Sequence, residues 1–152
     1  HGAIIASIIA NNGVFRKPTL VEEVIDNKQD RVVWIPPFEL ERVLSKSTAK
    51  SMQDLMETTV SKGTARTAFR RPRSRLISKL KIGGKTGTIT GGVPYGKRDW
   101  FVSYAMPRES KNKGISVCVM IVNVKKWYIK STVLARKVIE HYYKNIAQDQ
   151  GV

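Results

Sequence analysis

The chain has 152 residues, 41% of them hydrophobic, with 6 prolines, which suffices for one domain with a buried core. Its charge is lopsided, because 27 lysines and arginines against 12 acids leave a formal net charge of +15. The lone Cys118 excludes an internal disulfide, and His1 and His141 lie too far apart, without cysteines or paired acids beside them, to predict a metal site. No apolar run approaches the length of a membrane span, and no motif predicts a cofactor.

The first predicted element is a buried helix over residues 3–10, which are small and apolar on nearly every side. Asparagine and glycine follow at residues 11–13, and both tolerate the left-handed conformation that ends many helices. No cap or tail precedes this helix. We therefore expect a chain that starts inside a domain, so that residues 1–152 form a single partial domain.

A β-hairpin is predicted next. Residues 19–25 and 31–35 are rich in β-branched and apolar side chains, and a short polar turn at residues 26–30 joins them. Pro36 and Pro37 end the second run.

A second helix is predicted to run to about Lys62, with Ser45 or Ser47 as its N-cap and Gly63 as its end. The apolar residues within it recur at helical spacing. This predicted buried face consists of Ala49, Met52, Leu55, Met56 and Val60.

The start of this helix also carries a motif of possible chemical meaning. The residues from Ser47 to Lys50 formally match S-x-x-K, in which a serine at a helix start and a lysine one turn later form an activated nucleophile. Serine is, however, among the commonest helix caps. We therefore expect a capping serine followed by an exposed Lys50.

Residues 64–81 are predicted to be a basic linker broken by Pro72. No acid occurs between Glu57 and Asp99, so this part of the chain is strongly positive. Such a segment can be a solvated face, lie on an anionic lipid surface or bind nucleic acid, and the solvated face is the commonest outcome.

The aromatic content of this basic segment argues against nucleic acid. Proteins that bind single strands stack bases on aromatic side chains interleaved with cations. Within residues 62–98 the only aromatic residues are Phe69 and Tyr95. We therefore expect no nucleic-acid partner.

Three strands and a helix are predicted after the linker: a strand around Lys85, then residues 99–106, residues 115–124 and a helix over about 129–146. A turn at 91–96 and a polar loop at 107–114 separate the strands. The third strand is apolar on both alternating sets, which predicts a central strand covered on both faces, with Cys118 as a small core residue. The helix is expected to cover one face through Val133, Leu134, Val138, Ile139, Tyr142 and Ile146.

The strongest candidate for chemistry is the segment Lys85-Thr86-Gly87-Thr88 on the first of these strands. Side chains alternate along a strand, and glycine removes bulk that would block a ligand. The segment can therefore present a cation, a hydroxyl and an open backbone N–H in one row. Such a row suits a substrate carboxylate and a developing oxyanion.

Two other interpretations of Lys85 are possible. A phosphate-binding loop ends in the same Gly-Lys-Thr, but Lys79 stands where its first glycine belongs, and a strand rather than a helix follows. Lys85 could also be an ordinary lysine on an edge strand. The S-x-N match at Ser110-Lys111-Asn112 lies in a polar loop, where a turn is the expected role.

The order of these features resembles the C-terminal half of a penicillin-binding protein transpeptidase domain, the family of enzymes that cross-link peptidoglycan. The match covers nearly the whole chain. Its most specific parts are Lys85-Thr86-Gly87-Thr88 and the following Trp100-Phe101 pair, and the Gly63-Thr64 junction supports it. The resemblance implies an α+β fold: an antiparallel sheet of about three strands packed with a long C-terminal helix, plus a hairpin and further helices.

The resemblance also implies roles for the lysine motif. Lys85 and Thr88 would be catalytic, Lys85 through the proton network of the nucleophile and Thr88 through a backbone N–H in the oxyanion hole. Lys85, Thr86, Gly87 and Thr88 would together bind substrate: Lys85 and Thr86 the terminal carboxylate, Gly87 by leaving room for the extended peptide. In this family S-x-x-K supplies the serine nucleophile and S-x-N supplies polar residues that shuttle protons. Neither lies in the right order upstream of Lys85, and only 35 residues separate Lys50 from Lys85, so we expect no nucleophile in this chain.

The function implied is that of a C-terminal fragment of a D,D-transpeptidase that cross-links stem peptides by serine acyl transfer and is inhibited by β-lactams. The chain alone is expected to be inactive. A β-lactamase or D,D-carboxypeptidase fragment is the alternative, and a basic nucleic-acid-binding module is a more distant one. The expected location is the outer face of the bacterial cytoplasmic membrane, with the anchor in parent sequence outside this chain. The expected partners are stem peptides, β-lactams, the missing N-terminal half and, through an unpaired sheet edge, a second copy.

Overall fold

The structure is a computed structural model that describes residues 1–70, 74–109 and 114–146. Its first helix, α1, spans Gly2–Ala10. Asn12 and Gly13 follow it with φ angles of 55° and 87°, which is the left-handed ending predicted from the sequence. A Cβ at Gly13 would also lie 2.3 Å from the Leu44 carbonyl oxygen, so glycine is needed for this close approach as well.

Four short strands follow: β1 (Val14–Arg16), β2 (Val24–Asp26), β3 (Arg31–Trp34) and β4 (Leu40–Arg42). β2 and β3 form the predicted hairpin, although each is shorter than its β-prone run. The antiparallel pair β1 and β4 was not predicted, because its partners lie more than twenty residues apart in sequence. The hairpin is exposed along almost its whole length.

Helix α2 (Lys46–Ser61) has Ser45 as its N-cap, whose Oγ accepts a 3.0 Å hydrogen bond from the Thr48 backbone N–H. The predicted apolar face is only partly right. Ala49 and Met56 are buried, but Leu55 is 65% exposed and Met52 is 38% exposed. Gln53 is buried between them instead, because its amide donates a 2.8 Å hydrogen bond to the Ile9 carbonyl at the end of α1.

The predicted linker is wrong, because most of its described residues form two short helices, α3 (Arg66–Arg70) and α4 (Arg75–Ser78). Ala65, Ala68 and Phe69 are buried at i, i+3 and i+4 spacing. The density of arginines concealed this short apolar face. Residues 71–73, which include Pro72, lie outside the described ranges.

The main sheet has three antiparallel strands, β5 (Leu80–Gly91), β6 (Gly96–Pro107) and β7 (Ile115–Asn123), in the order β5-β6-β7. The central strand is therefore β6, and the prediction that β7 is central is wrong for the strands described. Helices nevertheless contact both faces of β7: α5 packs on the face of Val117 and Val119, and α1 contacts the other face but leaves Met120 and Val122 partly exposed. Two-sided apolarity thus reflects cover by helices rather than position in the sheet.

The last helix, α5, spans Ser131–His141 and continues as a π-helical turn over Tyr142–Ile146. Its buried face is rotated from the predicted stripe. Ile139 is fully buried as expected, but Leu134 and Val138 are 36% and 39% exposed, and Val133 and Tyr142 only border the core. The buried positions are Ser131, Thr132, Ala135, Arg136, Ile139 and Tyr143. The Ile146 side chain lies outside the described part.

Arg136 explains this rotation. Its guanidinium is buried, and it donates a 2.8 Å hydrogen bond to the Ala68 carbonyl on α3 while pairing with Glu140 at 3.0 Å. A buried polar side chain thus occupies part of the face that packs on the core, which a pattern of apolar residues alone does not indicate. The core beneath it includes the Phe69 and Phe101 rings, whose centroids are 5.8 Å apart. The described helices include none that is both long and apolar enough to cross a membrane.

Candidate active site

The predicted site segment lies in the middle of β5, on the outer strand of the main sheet. Lys85, Thr86, Gly87 and Thr88 face Val102, Phe101, Trp100 and Asp99 of β6. No other described strand pairs with β5, so its second edge is free of strand partners. An extended peptide could add to this edge by backbone hydrogen bonds.

Lys85 is exposed, and its ammonium donates a short hydrogen bond to the Thr86 carbonyl. The Thr86 carbonyl thus accepts a hydrogen bond from a side chain, which indicates that it points to the open edge of β5. In an antiparallel pair the N–H and C=O of one residue point to the same side, and the side alternates along the strand. Thr88 is in phase with Thr86, so we expect the Thr88 N–H on the same open edge as the lysine.

The Thr86 hydroxyl has a partner that the sequence did not indicate. Its Oγ1 lies 2.8 Å from the Thr64 Oγ1, in the junction between α2 and α3. The sequence did not predict Thr64 as a site residue, because a contact between residues 22 positions apart leaves no local pattern. The site thus contains two hydroxyls in contact with each other, and the residue before Thr86 carries the exposed ammonium of Lys85.

The glycines of this strand serve different purposes. A Cβ on Gly84 would lie 2.2 Å from the Phe101 ring, and one on Gly83 would lie 2.5 Å from the Tyr104 ring, so both positions are closed by the core. A Cβ on Gly87 would come no closer than 3.7 Å, to Trp100. The chain itself therefore does not require glycine at residue 87, which is consistent with space kept for a ligand.

Asp99 anchors the strand opposite Thr88. It is 6% exposed, and its Oδ2 accepts a 2.7 Å hydrogen bond from the Ser131 backbone N–H at the start of α5. The helix has no side-chain cap of its own, because Lys130 is its N-cap residue. A carboxylate at a helix N-terminus is favourable both as a hydrogen-bond acceptor and through the helix dipole.

A half-buried polar network fixes the start of β5 against α2. Lys81 Nζ lies 3.1 Å from Glu57 Oε1 and donates a 3.3 Å hydrogen bond to Gln53 Oε1. The Tyr104 hydroxyl donates to the same Glu57 oxygen at 3.3 Å. Burial, and next the negative charge of Glu57, raise the pKa of Tyr104 above its ordinary value. This network holds the strand four residues before Lys85.

Ser47 and Lys50 do not form a nucleophile pair. Lys50 Nζ donates a 2.7 Å hydrogen bond to Asp54, and Ser47 Oγ lies 2.9 Å from the capping Ser45 Oγ. The hydrogen bond to Asp54 raises the pKa of Lys50, the opposite of what a general base requires. The expectation of an exposed Lys50 is confirmed, with Ser45 rather than Ser47 as the cap. Ser110-Lys111-Asn112 lies outside the described residues.

The site is an open strand edge rather than a cavity. Two cavities of about 340 and 350 Å³ lie elsewhere: one is bordered by Arg66, Arg70 and Arg108, the other by Ser7 and Tyr104. Neither includes Lys85 or its three successors. Within residues 1–70, 74–109 and 114–146, no group of three or more histidine, cysteine, aspartate or glutamate side chains could hold a metal ion.

A family model described as the penicillin binding protein transpeptidase domain matches residues 2–140. The chain belongs to this family. The resemblance inferred from the lysine motif and the order of elements is thereby confirmed, as is the α+β class with an antiparallel sheet. A comparison with curated protein sequences finds no significant match.

Solved structures agree with the family assignment. Penicillin-binding protein A from M. tuberculosis, as an imipenem acyl-enzyme complex, superposes with a TM-score of 0.69 at 22% identity, over 93% of this chain and 29% of that chain. The D,D-transpeptidase domain of a peptidoglycan glycosyltransferase from Eggerthella lenta superposes with a TM-score of 0.68 at 25% identity, over 95% and 32%. The chain thus spans less than a third of the length of these two structures.

Proposed function

We propose that the protein containing this chain is a serine-type peptidoglycan D,D-transpeptidase inhibited by β-lactams. The observation that carries the proposal is the free edge of β5, where successive residues carry an exposed ammonium, a hydroxyl and, by strand alternation, a backbone N–H directed away from β6. The chain supplies the wall of the site that binds carboxylate and oxyanion. Family membership and the β-lactam acyl-enzymes among the structural neighbours support this assignment.

In this proposal Lys85 and Thr86 bind the terminal carboxylate of a stem peptide that ends in D-alanyl-D-alanine. A carboxylate has several acceptor sites, so an ammonium and a hydroxyl can bind it together, and the bond from the charged ammonium is the stronger of the two. The extended peptide lies along β5 beside Gly87, where no side chain intrudes. The Thr88 N–H faces the carbonyl oxygen that becomes negative during acyl transfer.

The chemical step is acylation of a serine. The serine oxygen attacks the penultimate D-alanine carbonyl, its proton passes to the departing terminal D-alanine, and an ester joins peptide and enzyme. The amine of a second stem peptide then displaces the serine oxygen, forms the cross-link and returns the proton to serine. Lys85 would hold its positive charge close to this proton network.

We place the nucleophile outside this chain. The Lys85 ammonium donates to the Thr86 carbonyl, and no serine hydroxyl among the described residues contacts it. A catalytic unit that lacks one member loses most of its activity, so the chain alone should not turn over substrate. We also place the parent at the outer face of the cytoplasmic membrane, where its peptidoglycan substrate is found.

The outer edge of β7 carries a related proposal. This edge has no strand partner among the described residues, and Met120 and Val122 are 46% and 37% exposed. An unpaired edge favours pairing with another strand. We propose that the remaining part of the domain covers β7, and that the isolated chain self-associates there. Light scattering on the isolated chain should show oligomers, and a monodisperse monomer would contradict this proposal.

An acceptor assay distinguishes the transpeptidase from its rivals. The full-length protein is given a D-alanyl-D-alanine peptide, with and without an amine acceptor, and D-alanine release and product mass are followed. A transpeptidase forms the amide product with the acceptor, and a penicillin blocks it. Release of D-alanine to water alone would indicate a carboxypeptidase, and rapid hydrolysis of the penicillin would indicate a β-lactamase. Either of these two results would overturn the proposal.

A further inference from the structure

The Thr64 hydroxyl meets the Thr86 hydroxyl at 2.8 Å, and the two residues belong to different elements. Thr64 lies between α2 and α3, and Thr86 lies on β5 within the row of site residues. A hydroxyl carries one proton and two acceptor sites, so only one of the two groups donates in this pair. The orientation of the Thr86 proton is therefore linked to Thr64.

The backbone holds Thr64 in place from both sides. The Gly63 N–H donates to the Thr58 carbonyl at 2.9 Å, and the Ala65 N–H donates to the Thr59 carbonyl at 3.1 Å. A Cβ on Gly63 would lie 2.9 Å from the Thr59 Cα, so glycine permits the tight turn. Ala65 is fully buried in the core. Thr64 is thus a fixed residue on an exposed junction.

Helix α2 fixes β5 at a second point. Glu57 on α2 pairs with Lys81 on β5 at 3.1 Å, five residues before Thr86. Two contacts from α2 and its junction therefore set where the Thr86 hydroxyl lies. The ion pair holds the strand, whereas the hydroxyl contact acts on the group expected to meet a carboxylate.

We infer that Thr64 is a positioning residue for carboxylate recognition, an inference that rests on the proposed function. When Thr64 donates its proton to Thr86, the Thr86 proton is free to point at the substrate carboxylate. Successive hydrogen bonds in such a chain polarise and strengthen one another. Thr64 therefore selects the donor orientation of Thr86 without touching the substrate.

The test is a set of variants in the full-length protein, assayed for acylation by benzylpenicillin and by a D-alanyl-D-alanine peptide. Thr64→Val removes the hydroxyl with little change of shape, and Thr64→Ser keeps it. We expect Thr64→Val to lower the second-order acylation constant by about two- to tenfold, the value of one neutral hydrogen bond. Thr64→Ser should stay near the wild-type value. Thermal unfolding of each variant reports on the fold, and Thr64→Ala replaces Thr64→Val if the latter does not fold.

Two further measurements separate positioning from a general structural role. In a Thr86→Val background the second change, Thr64→Val, should have less than a twofold effect, because the hydroxyl that it orients is gone. A peptide with an amidated C-terminus should also lose its dependence on Thr64. Equal effects of Thr64→Val in both backgrounds, or on both peptides, would overturn the inference.

The outcome for the wild-type protein distinguishes this inference from the proposed function. If the wild-type protein is acylated and Thr64→Val is acylated at the same rate, the inference is wrong and the proposed function stands. If the wild-type protein is not acylated at all, both are wrong.

Discussion

The Asp99 carboxylate accepts a 2.7 Å hydrogen bond from the Ser131 backbone N–H and so joins the central strand β6 to the start of α5. Asp99 also faces Thr88 across the sheet. The helix that covers the core is thus tied to the strand directly opposite the candidate oxyanion donor. A residue with no assigned chemistry therefore fixes the geometry of the site.

Removing this carboxylate should destabilise the fold. Asp99→Ala leaves a buried backbone N–H without its charged acceptor, and we expect a loss of about 2–3 kcal/mol in the free energy of unfolding. Asp99→Asn keeps an acceptor and loses the favourable charge at the helix N-terminus, so its cost should be about 1 kcal/mol. Urea unfolding measures both. Equal stability of Asp99→Ala and wild type would show that the contact contributes nothing.

The two glycines Gly84 and Gly87 form a matched pair. Gly84→Ala forces a Cβ within 2.2 Å of the buried Phe101 ring, and such overpacking should cost about 1–3 kcal/mol. Gly87→Ala meets nothing closer than 3.7 Å in the chain, so its stability should stay within about 0.5 kcal/mol of wild type.

Of the two variants, Gly87→Ala, which leaves the fold intact, should be the one that impairs binding along β5. Gly87→Ala narrows the strip along which the peptide lies, and penicillin acylation should slow even though the fold is intact. Thermal unfolding together with acylation kinetics checks both variants. A Gly87→Ala protein that is stable and acylated at the wild-type rate would show that no ligand passes close to residue 87.

Lys85 and Lys50 are both exposed lysines, but only Lys85 belongs to the proposed site. Lys85→Met removes the cation that meets the carboxylate and the developing charge, and acylation of the full-length protein should fall by about 10²-fold or more. Lys50→Met, the matched control, breaks only the exposed pair with Asp54, so its acylation should not change. Stopped-flow acylation compares them. A large loss of acylation with Lys50→Met would contradict this account and would indicate that the S-x-x-K match at Ser47 to Lys50 is catalytic.

Buried tyrosine should make the protein sensitive to alkali. Burial raises the pKa of Tyr104 above its ordinary value of 10.0, so the folded state keeps the phenol proton longer than the unfolded state does. The stabilisation is complete below about pH 10 and is lost as pH rises above that value. Urea midpoints between pH 8 and pH 11 should fall.

The control for this titration is Tyr104→Phe, which cannot ionise. Its midpoints should fall less steeply above pH 10, while at neutral pH it loses the hydrogen bond to Glu57, worth about 1 kcal/mol. Burial also raises the pKa of Tyr143, so part of the slope remains. Identical slopes for Tyr104→Phe and wild type would contradict the account.

The sequence predicted the features that depend on residues close together in the chain. Asn12 and Gly13 end α1 because their own conformations permit it, and Lys85 to Thr88 lie on a strand because the surrounding residues are β-prone. The hairpin of β2 and β3 is local in the same sense, since a short turn joins its two strands.

Contacts between distant residues could not be predicted in this way. Thr64 meets Thr86 across 22 residues, and Asp99 meets Ser131 across 32, so no periodicity reports either contact. The errors in the helices share one cause. Gln53 and Arg136 are polar yet buried, because backbone carbonyls of neighbouring helices accept their protons. A prediction that counts only apolar residues places both helix faces incorrectly.

The central claim is that Lys85, Thr86, Gly87 and Thr88 line the site of a serine acyl-transferase whose nucleophile lies outside residues 1–152. The most direct test is incubation with a labelled penicillin, followed by mass measurement of the intact protein and of its peptides. The account predicts one penicilloyl ester on the full-length protein, at a serine outside these residues, and none on the isolated chain. An ester at Ser47, or at any other serine of this chain, would contradict it.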